Sequence, residues 1–346
     1  MTQSLVADAA ERLFADLATP TVVNAAEAGT WPGDLWGAVS EAGFLDALGG
    51  DAGAALEGLG YAVDVLRAAG RHAVPLPVAE TMLARWLAKR VGLTPPEGPL
   101  ALAIDGPDDR VELRRTGADW QLSGTARAVP WARNARGLVV STGVAVGLVA
   151  PVSAVVEHGE NLAGEPRDDM TLDLKLDARS VAGAPIDADA GMVYRLGALF
   201  RAAQMAGALE EVLQLAVTYA SDRVQFGRPI AKFQAIQQQL ALAAEQVAAA
   251  GVAVGAAVAA AGSGDLAFAA GAAKLRVGEA AGKVCDIVHQ VHGAIGFTHE
   301  HRLHQLTRRL WSWRDEFGVE SAWALELGRL MAGQGADGIW PFLAQR

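Results

Sequence analysis

Residues 219–239 read YASDRVQFGRPIAKFQAIQQQ. This run interrupts an Ala/Leu-rich helical region with a Gly227-Arg228-Pro229 break, two phenylalanines (Phe226 and Phe233) and a cluster of glutamines. A plain core helix needs none of these. Gly and Pro together end a helix and turn the chain. Arg223 then stands at a helix end, where a guanidinium can fork onto a pyrophosphate or simply be solvated. Gln234 opens the next helical stretch, where its amide can reach an adenine or ribose edge or belong to a polar helix face. A second unusual run, Gln290 to Phe297 (QVHGAIGF), sets an amide beside two glycines in helical surroundings. Glycine there allows the backbone to approach a ligand closely. No strand precedes it and the glycine spacing is wrong for a Rossmann fingerprint.

Outward from these runs, the chain shows three textures. Residues 1–97 are expected to form a helical domain. Leu5, Ala9, Leu13 and Leu17 recur at helical spacing, and the pattern returns at Leu35, Val39 and Phe44. Residues 98–184 are expected to form a small β domain, a barrel or a sandwich. Val111 to Arg114, Trp120 to Ser123 and Met170 to Leu176 alternate apolar and polar, and Leu138 to Val149 is rich in valine. After the linker APIDADA (184–190), residues 185–346 return to helical texture and predict a four-helix bundle. Ala-rich faces there allow close packing, and Gly262-Ser263-Gly264-Asp265 marks a helix hairpin with Asp265 as the N-cap. The predicted fold class is α+β, mostly α.

Composition narrows the function. A net charge of -10 argues against nucleic-acid binding, which wants a basic footprint. A single cysteine, Cys285, excludes an internal disulfide framework and suits a reducing cytoplasm. The N-terminal residues carry early acids and show no apolar signal core. The most membrane-like run, Val247 to Ala261, is dominated by alanine and too short to span comfortably, so no membrane span is expected.

Five of the seven histidines lie between His289 and His304. Carboxylate pairs or cysteines at ligand spacing do not accompany them, so they predict polar side chains in a loop or interface rather than a metal site. No Gly-x-Ser-x-Gly elbow supports a serine hydrolase.

The segment SDRVQFGRPIAKFQAIQ (221–237) resembles the flavin-binding signature of the acyl-CoA dehydrogenases. AAKLRVGEAAGKVCDIVHQVHGAIGFTHEHRLH (272–304) resembles their C-terminal signature. The helical, small β, helical-bundle layout is that family's too. The resemblance is strong over 190–318 and looser before that. It implies FAD at a subunit interface. Arg223 and Phe226 would touch the pyrophosphate region, Gln234 would lie near the adenine half, and Gln290, Gly293 and Ala294 would line the same half, all on the neighbouring subunit's FAD. The implied reaction is α,β-dehydrogenation of an acyl-CoA thioester, with an electron-transfer flavoprotein as acceptor.

The chain departs from the family at two places. The family's usual base, a Glu followed by Gly, is replaced by Phe317 before Gly318. Glu316 is adjacent, but one residue turns a helix by about 100°. The family's Thr-Glu-Pro-x-Ala-Gly-Ser-Asp segment appears as Ala103 to Asp109, without its Thr, Ser or Ala-Gly. With GRHAVPLPVAETMLARWL (70–87), the chain resembles the smaller subunits of heteromeric α2β2 bacterial members, some of which act on steroid side chains. The expected partner is a homologous acyl-CoA dehydrogenase subunit that supplies the base. The alternatives are a self-sufficient homo-oligomer using Glu316 and a non-catalytic structural homologue.

Overall fold

The computed structural model describes residues 4–49, 58–106, 109–150, 154–185, 188–262 and 265–344. Ser263-Gly264 of the expected hairpin, Pro107-Asp108 and Ile186-Asp187 lie outside the described residues. Contacts divide the chain into two units, Met1–Leu66 with Val74–Gly197 and Arg67–Ala73 with Ala198–Arg346.

In the first unit, α1 (Leu5–Leu17), α2 (Pro20–Glu27), α3 (Gly33–Glu41), most of α4 (Leu59–Arg71) and α5 (Val78–Arg90) precede eight strands among the described residues. Ser4 caps α1, its Oγ accepting from Ala7 N, and Thr19 caps α2 just before Pro20 at the first helical position. The expected stripe on α1 is corrected. Ala10 and Phe14 are buried, whereas Leu5 and Leu17 are exposed. Spacings of four overshoot a turn, so Leu5 and Leu17 lie about 120° apart around the helix. The later pattern holds, with Leu35, Val39 and Phe44 all buried. Helix α5 is buried along most of its length. Thr81 Oγ1 accepts from Leu100 N at 3.0 Å and ties α5 to the first strand.

The strands are β1 (Leu100–Ile104), β2 (Arg110–Thr116), β3 (Asp119–Pro130), β4 (Gly137–Ser141), β5 (Ala145–Val149), β6 (Val155–Glu157), β7 (Arg167–Leu176) and β8 (Val181–Gly183). They form two four-stranded sheets, ordered β1-β4-β5-β8 and β2-β3-β7-β6. Pairing is antiparallel except for β1 with β4. Alternation decides which side chains turn inward. Val111 and Leu113 of β2, Leu122 of β3, and Met170 and Leu172 of β7 share one core with Leu138, Val140 and Val149 of the other sheet. Asp168, fully buried, accepts from the backbone N–H, Nε and Nη2 of Arg133 and pins the loop after β3.

The second unit is built on α6 (Ala190–Asp222), α7 (Gln234–Ala259), α8 (Leu266–His292), α9 (Leu303–Asp315), α10 (Glu320–Gly333) and α11 (Gly335–Ala344). Helices α6, α7 and α8 are the long ones, and a turn at 316–319 separates α9 from α10. Asp265 is the N-cap residue of α8, as expected, although its side chain makes no cap bond. Small residues set the closest approach. A Cβ on Gly70 would lie 1.8 Å from Gln204 O, and one on Gly207 would lie 1.8 Å from Arg67 O. Helix α7 is 26 residues long, longer than the apolar run read from the sequence, and it is the one described helix long and apolar enough to cross a membrane. It packs on α8, and its buried stripe is Ala243, Val247, Ala250, Val254 and Ala257.

Candidate functional site

Helix α6 stops at Asp222 and the chain reverses in a small hairpin, β9 (Val224–Gln225) paired with β10 (Arg228–Pro229). Phe226 and Gly227 form its tip, with φ of 52° and 77°. Positive φ at both central residues is the primed turn that matches the strand twist. Glycine adopts it freely and phenylalanine does not. Pro229 sits at the hairpin exit, and Ile230 N donates to Arg223 O at 2.8 Å. The Arg228 guanidinium lies 4.3 Å over the Phe233 ring, and Gln237 Nε2 donates to Ala231 O. These contacts occupy Arg228 and Gln237. Arg223 and Gln234 are exposed, and Phe226 is 92% exposed.

Helix α8 ends at Gly293, whose φ of 64° and ψ of -144° are open to glycine alone. Its N–H donates to His289 O, and a Cβ there would meet nothing within 4 Å. Gln290, Gly293 and Ala294 are exposed. Gly296 is buried instead, and a Cβ there would press on Leu303, His292 and the His289 ring at 3.0–3.2 Å.

The two segments meet through aromatic rings. Tyr219, one turn before the end of α6, stacks on His292 in the last turn of α8, with centroids 4.6 Å apart and planes at 22°. His301 packs edge-on against both rings. His289 is sandwiched between Phe297 at 4.1 Å and Trp311 at 5.4 Å. The loop-or-interface expectation is therefore corrected for three of the five histidines, while His299 and His301 lie in the turn before α9 as expected. His289, His292 and His304 are buried on α8 and α9. Burial holds the His289, His292 and His301 imidazoles below their usual titration range. Sequence pattern offered no sign of the Tyr219 contact, which joins residues 73 apart in number.

One guanidinium, two amides and an open glycine turn thus face outward from neighbouring helix ends. Their chemistry fits the phosphates and base of a dinucleotide.

The third region is the turn between α9 and α10. Phe317 and Gly318 take φ of 53° and 90°. Trp323 Nε1 donates to Phe317 O at 2.9 Å. The buried Lys274 Nζ donates to Arg314 O at 2.7 Å and Gly318 O at 2.8 Å, capping α9 from α8. Glu316 is not free: its carboxylate lies 2.6 Å from Nη2 of the buried Arg201. The same guanidinium lies 5.6 Å over Trp313 and 5.9 Å over Phe317.

Burial lowers the Lys274 ammonium to a pKa of about 8. Between about pH 8 and 10.5 the unfolded chain then holds more protons at this residue than the folded one, so its contribution to stability rises with pH. The neutral amine still donates to both carbonyls. Wild type should therefore gain on Lys274→Met as pH rises from 7.5 to 9.5, by up to about 1 kcal/mol per unit, in urea unfolding. A difference independent of pH would exclude a buried, titrating amine.

The chain matches the family model "Acyl-CoA dehydrogenase, C-terminal domain" over residues 195–314. It is 33% identical over 241 residues to the acyl-CoA dehydrogenase FadE27 of Mycobacterium tuberculosis, an alignment covering 60% of this chain and 61% of that protein. Among solved structures it is similar to the Tcur3481-Tcur3483 steroid ACAD, with a TM-score of 0.85, 27% identity and coverage of 96% and 98% of the two chains. The ChsE4-ChsE5 complex from Mycobacterium tuberculosis shares the fold, with a TM-score of 0.83, 24% identity and coverage of 94% and 96%.

Proposed function

We propose, from the premise that the chain belongs to the acyl-CoA dehydrogenase family, that it is a subunit of an FAD-dependent enzyme for α,β-dehydrogenation of an acyl-CoA thioester. In this reading it lends cofactor contacts to a homologous partner, and that partner supplies the base. The carrying observation is an asymmetry. The outward donors at Arg223, Gln234, Gln290 and Gly293-Ala294 are open, whereas the base position is filled by Phe317 and the adjacent Glu316 is paired with Arg201.

The reaction removes a weakly acidic α-proton, which needs a carboxylate base and donors for the developing enolate. Phe317 has no group that takes a proton. Arg223 would hold the pyrophosphate as a planar charged fork, with Phe226 packed beside it. Gln234 and Gln290 would orient the adenine half, with the turn at Gly293 and Ala294 close against it. When bound, FAD supplies the hydride acceptor. An electron-transfer flavoprotein in the cytoplasm would be the electron acceptor of the assembled enzyme. Likeness to a steroid ACAD supports a polycyclic, steroid-derived acyl-CoA as substrate.

The test is the absorbance spectrum of the chain purified alone and together with a homologous subunit. Flavin bands should appear in the mixed complex and not in the isolated chain. A fully flavinated, active homomer would overturn this reading in favour of a self-sufficient enzyme; absence of flavin in every assembly would favour a structural homologue. Arg223→Ala should weaken flavin retention in the complex by about tenfold or more, the worth of a charge-assisted hydrogen bond. Unchanged flavin content would remove Arg223 from the site.

A further inference from the structure

Tyr219 and His292 sit where the two cofactor-facing segments come together. Tyr219 O receives the N–H of Arg223 at 2.8 Å, so the tyrosine backbone anchors the residue that opens the hairpin. His292 immediately precedes Gly293. Its Nδ1 lies 2.7 Å from Val288 O, an acceptor only, so Nδ1 carries the proton. The other nitrogen, Nε2, is buried and has no hydrogen-bond partner. In the neutral ring Nε2 is a bare lone pair. In the imidazolium it becomes a second N–H, buried without an acceptor, which is unfavourable.

Burial is the larger influence on the ring, and the Val288 hydrogen bond opposes it. From α6 the ring faces Tyr219; from α8, His289; from the turn before α9, His301 with Arg302 behind it; from α9, His304 lies in the same cluster. Asp286 acts on His289, not on His292. Arg302 is paired with Glu211 at 3.3 Å. The tyrosine face would attract an imidazolium, but it offers no acceptor for the new N–H. His301, 4.7 Å away, resists a neighbouring positive charge.

We infer that His292, stacked on Tyr219 and neutral, is a positioning residue that couples the Arg223 hairpin to the Gln290–Ala294 turn, and that its protonation uncouples them and releases a bound dinucleotide. The inference rests on reading this surface as a cofactor site. Its physical content is that the hairpin, which contains no histidine, responds to the protonation of a ring on another helix.

The experiment compares wild type, His292→Phe and His292→Ala as full chains assembled with the homologous subunit. Flavin release is followed from about pH 7.5 down to about pH 4, past the ordinary histidine range because burial holds this ring below it, with hydrogen–deuterium exchange of residues 223–229 and 290–297 in the same samples. Wild type should lose flavin and exchange faster in both segments on acidification. His292→Phe keeps a ring on Tyr219 and cannot be protonated, so it should hold both readouts nearly flat. His292→Ala should exchange about three- to tenfold faster in the hairpin at pH 7.5, as loss of an aromatic pair implies. Hairpin exchange unchanged in His292→Ala, or an acid response in His292→Phe equal to wild type, overturns the coupling. If no assembly holds flavin at any pH, the cofactor reading fails, while the exchange data still decide the coupling.

Discussion

Gly207→Leu is expected to leave the chain in the insoluble fraction, and Gly207→Ala to lower its melting temperature severely. Even a methyl at this position would lie 1.8 Å from Arg67 O and 2.8 Å from the carbon of that carbonyl. The obstacle is backbone, so no rotamer change relieves it, and α6 must move away from the last turn of α4. Overpacking of this kind costs about 3 kcal/mol or more, a large fraction of the roughly 5–15 kcal/mol that holds a domain folded. The movement would also strip Arg67 and Arg71 from Glu210, the carboxylate both guanidinia grip from across the same crossing. Gly255→Ala on α7 is the control, because a Cβ there meets nothing within 4 Å. It should gain about 0.5–1 kcal/mol from helix propensity. Equal melting temperatures for wild type and Gly207→Ala would show that the helices separate more easily than this packing allows.

Glu316→Gln should leave turnover of the assembled enzyme within about twofold while lowering its stability by about 3 kcal/mol, the cost of stranding one member of a buried ion pair. Arg201 is buried, and the Glu316 carboxylate lies 2.6 Å from it. As a base, Glu316 would first have to leave that guanidinium without its counter-charge. Were Glu316 the base, the same substitution would cut the rate by about a hundredfold or more with flavin retained. Initial rates and denaturant unfolding on one preparation separate the two results, since they predict opposite pairings of activity and stability.

Much of the fold was legible because period and environment agree. The alternation of Val111 to Arg114 and Met170 to Leu176 survives as the inward and outward faces of β2 and β7. Both strands have one face against a core and one away from it, the condition under which a period of two is informative. Helix α1 misled because leucines four apart drift around the cylinder, and the face that packs is the one carrying Phe14. The break at Gly227-Arg228-Pro229 was plain, but the left-handed turn at Phe226 was not, since phenylalanine carries no signal for positive φ.

The candidate site divides along the same line. Outward donors such as Arg223 and Gln290 are recognisable from local sequence, because their chemistry depends on residue type and on a nearby helix end. His289, His292 and His304 are not recognisable as buried, because nothing local distinguishes a solvated imidazole from one stacked on Phe297 and Trp311. Lys274 was missed for a related reason. A lysine on an Ala/Gly-rich helix reads as a solvated charge until Arg314 O and Gly318 O, some forty residues on, are seen to accept its hydrogen bonds.

By itself, then, the sequence determined the order of helical and β regions, the resemblance to one family, and the residue types available to a cofactor, all properties of short segments and their spacing. Only the tertiary structure decided which of those groups remain open. It paired Glu316 with Arg201, capped α9 with Lys274 and laid Tyr219 on His292. Each is a contact between distant residues, and its effect depends on burial and on a partner's charge. Neither quantity exists until the chain has folded.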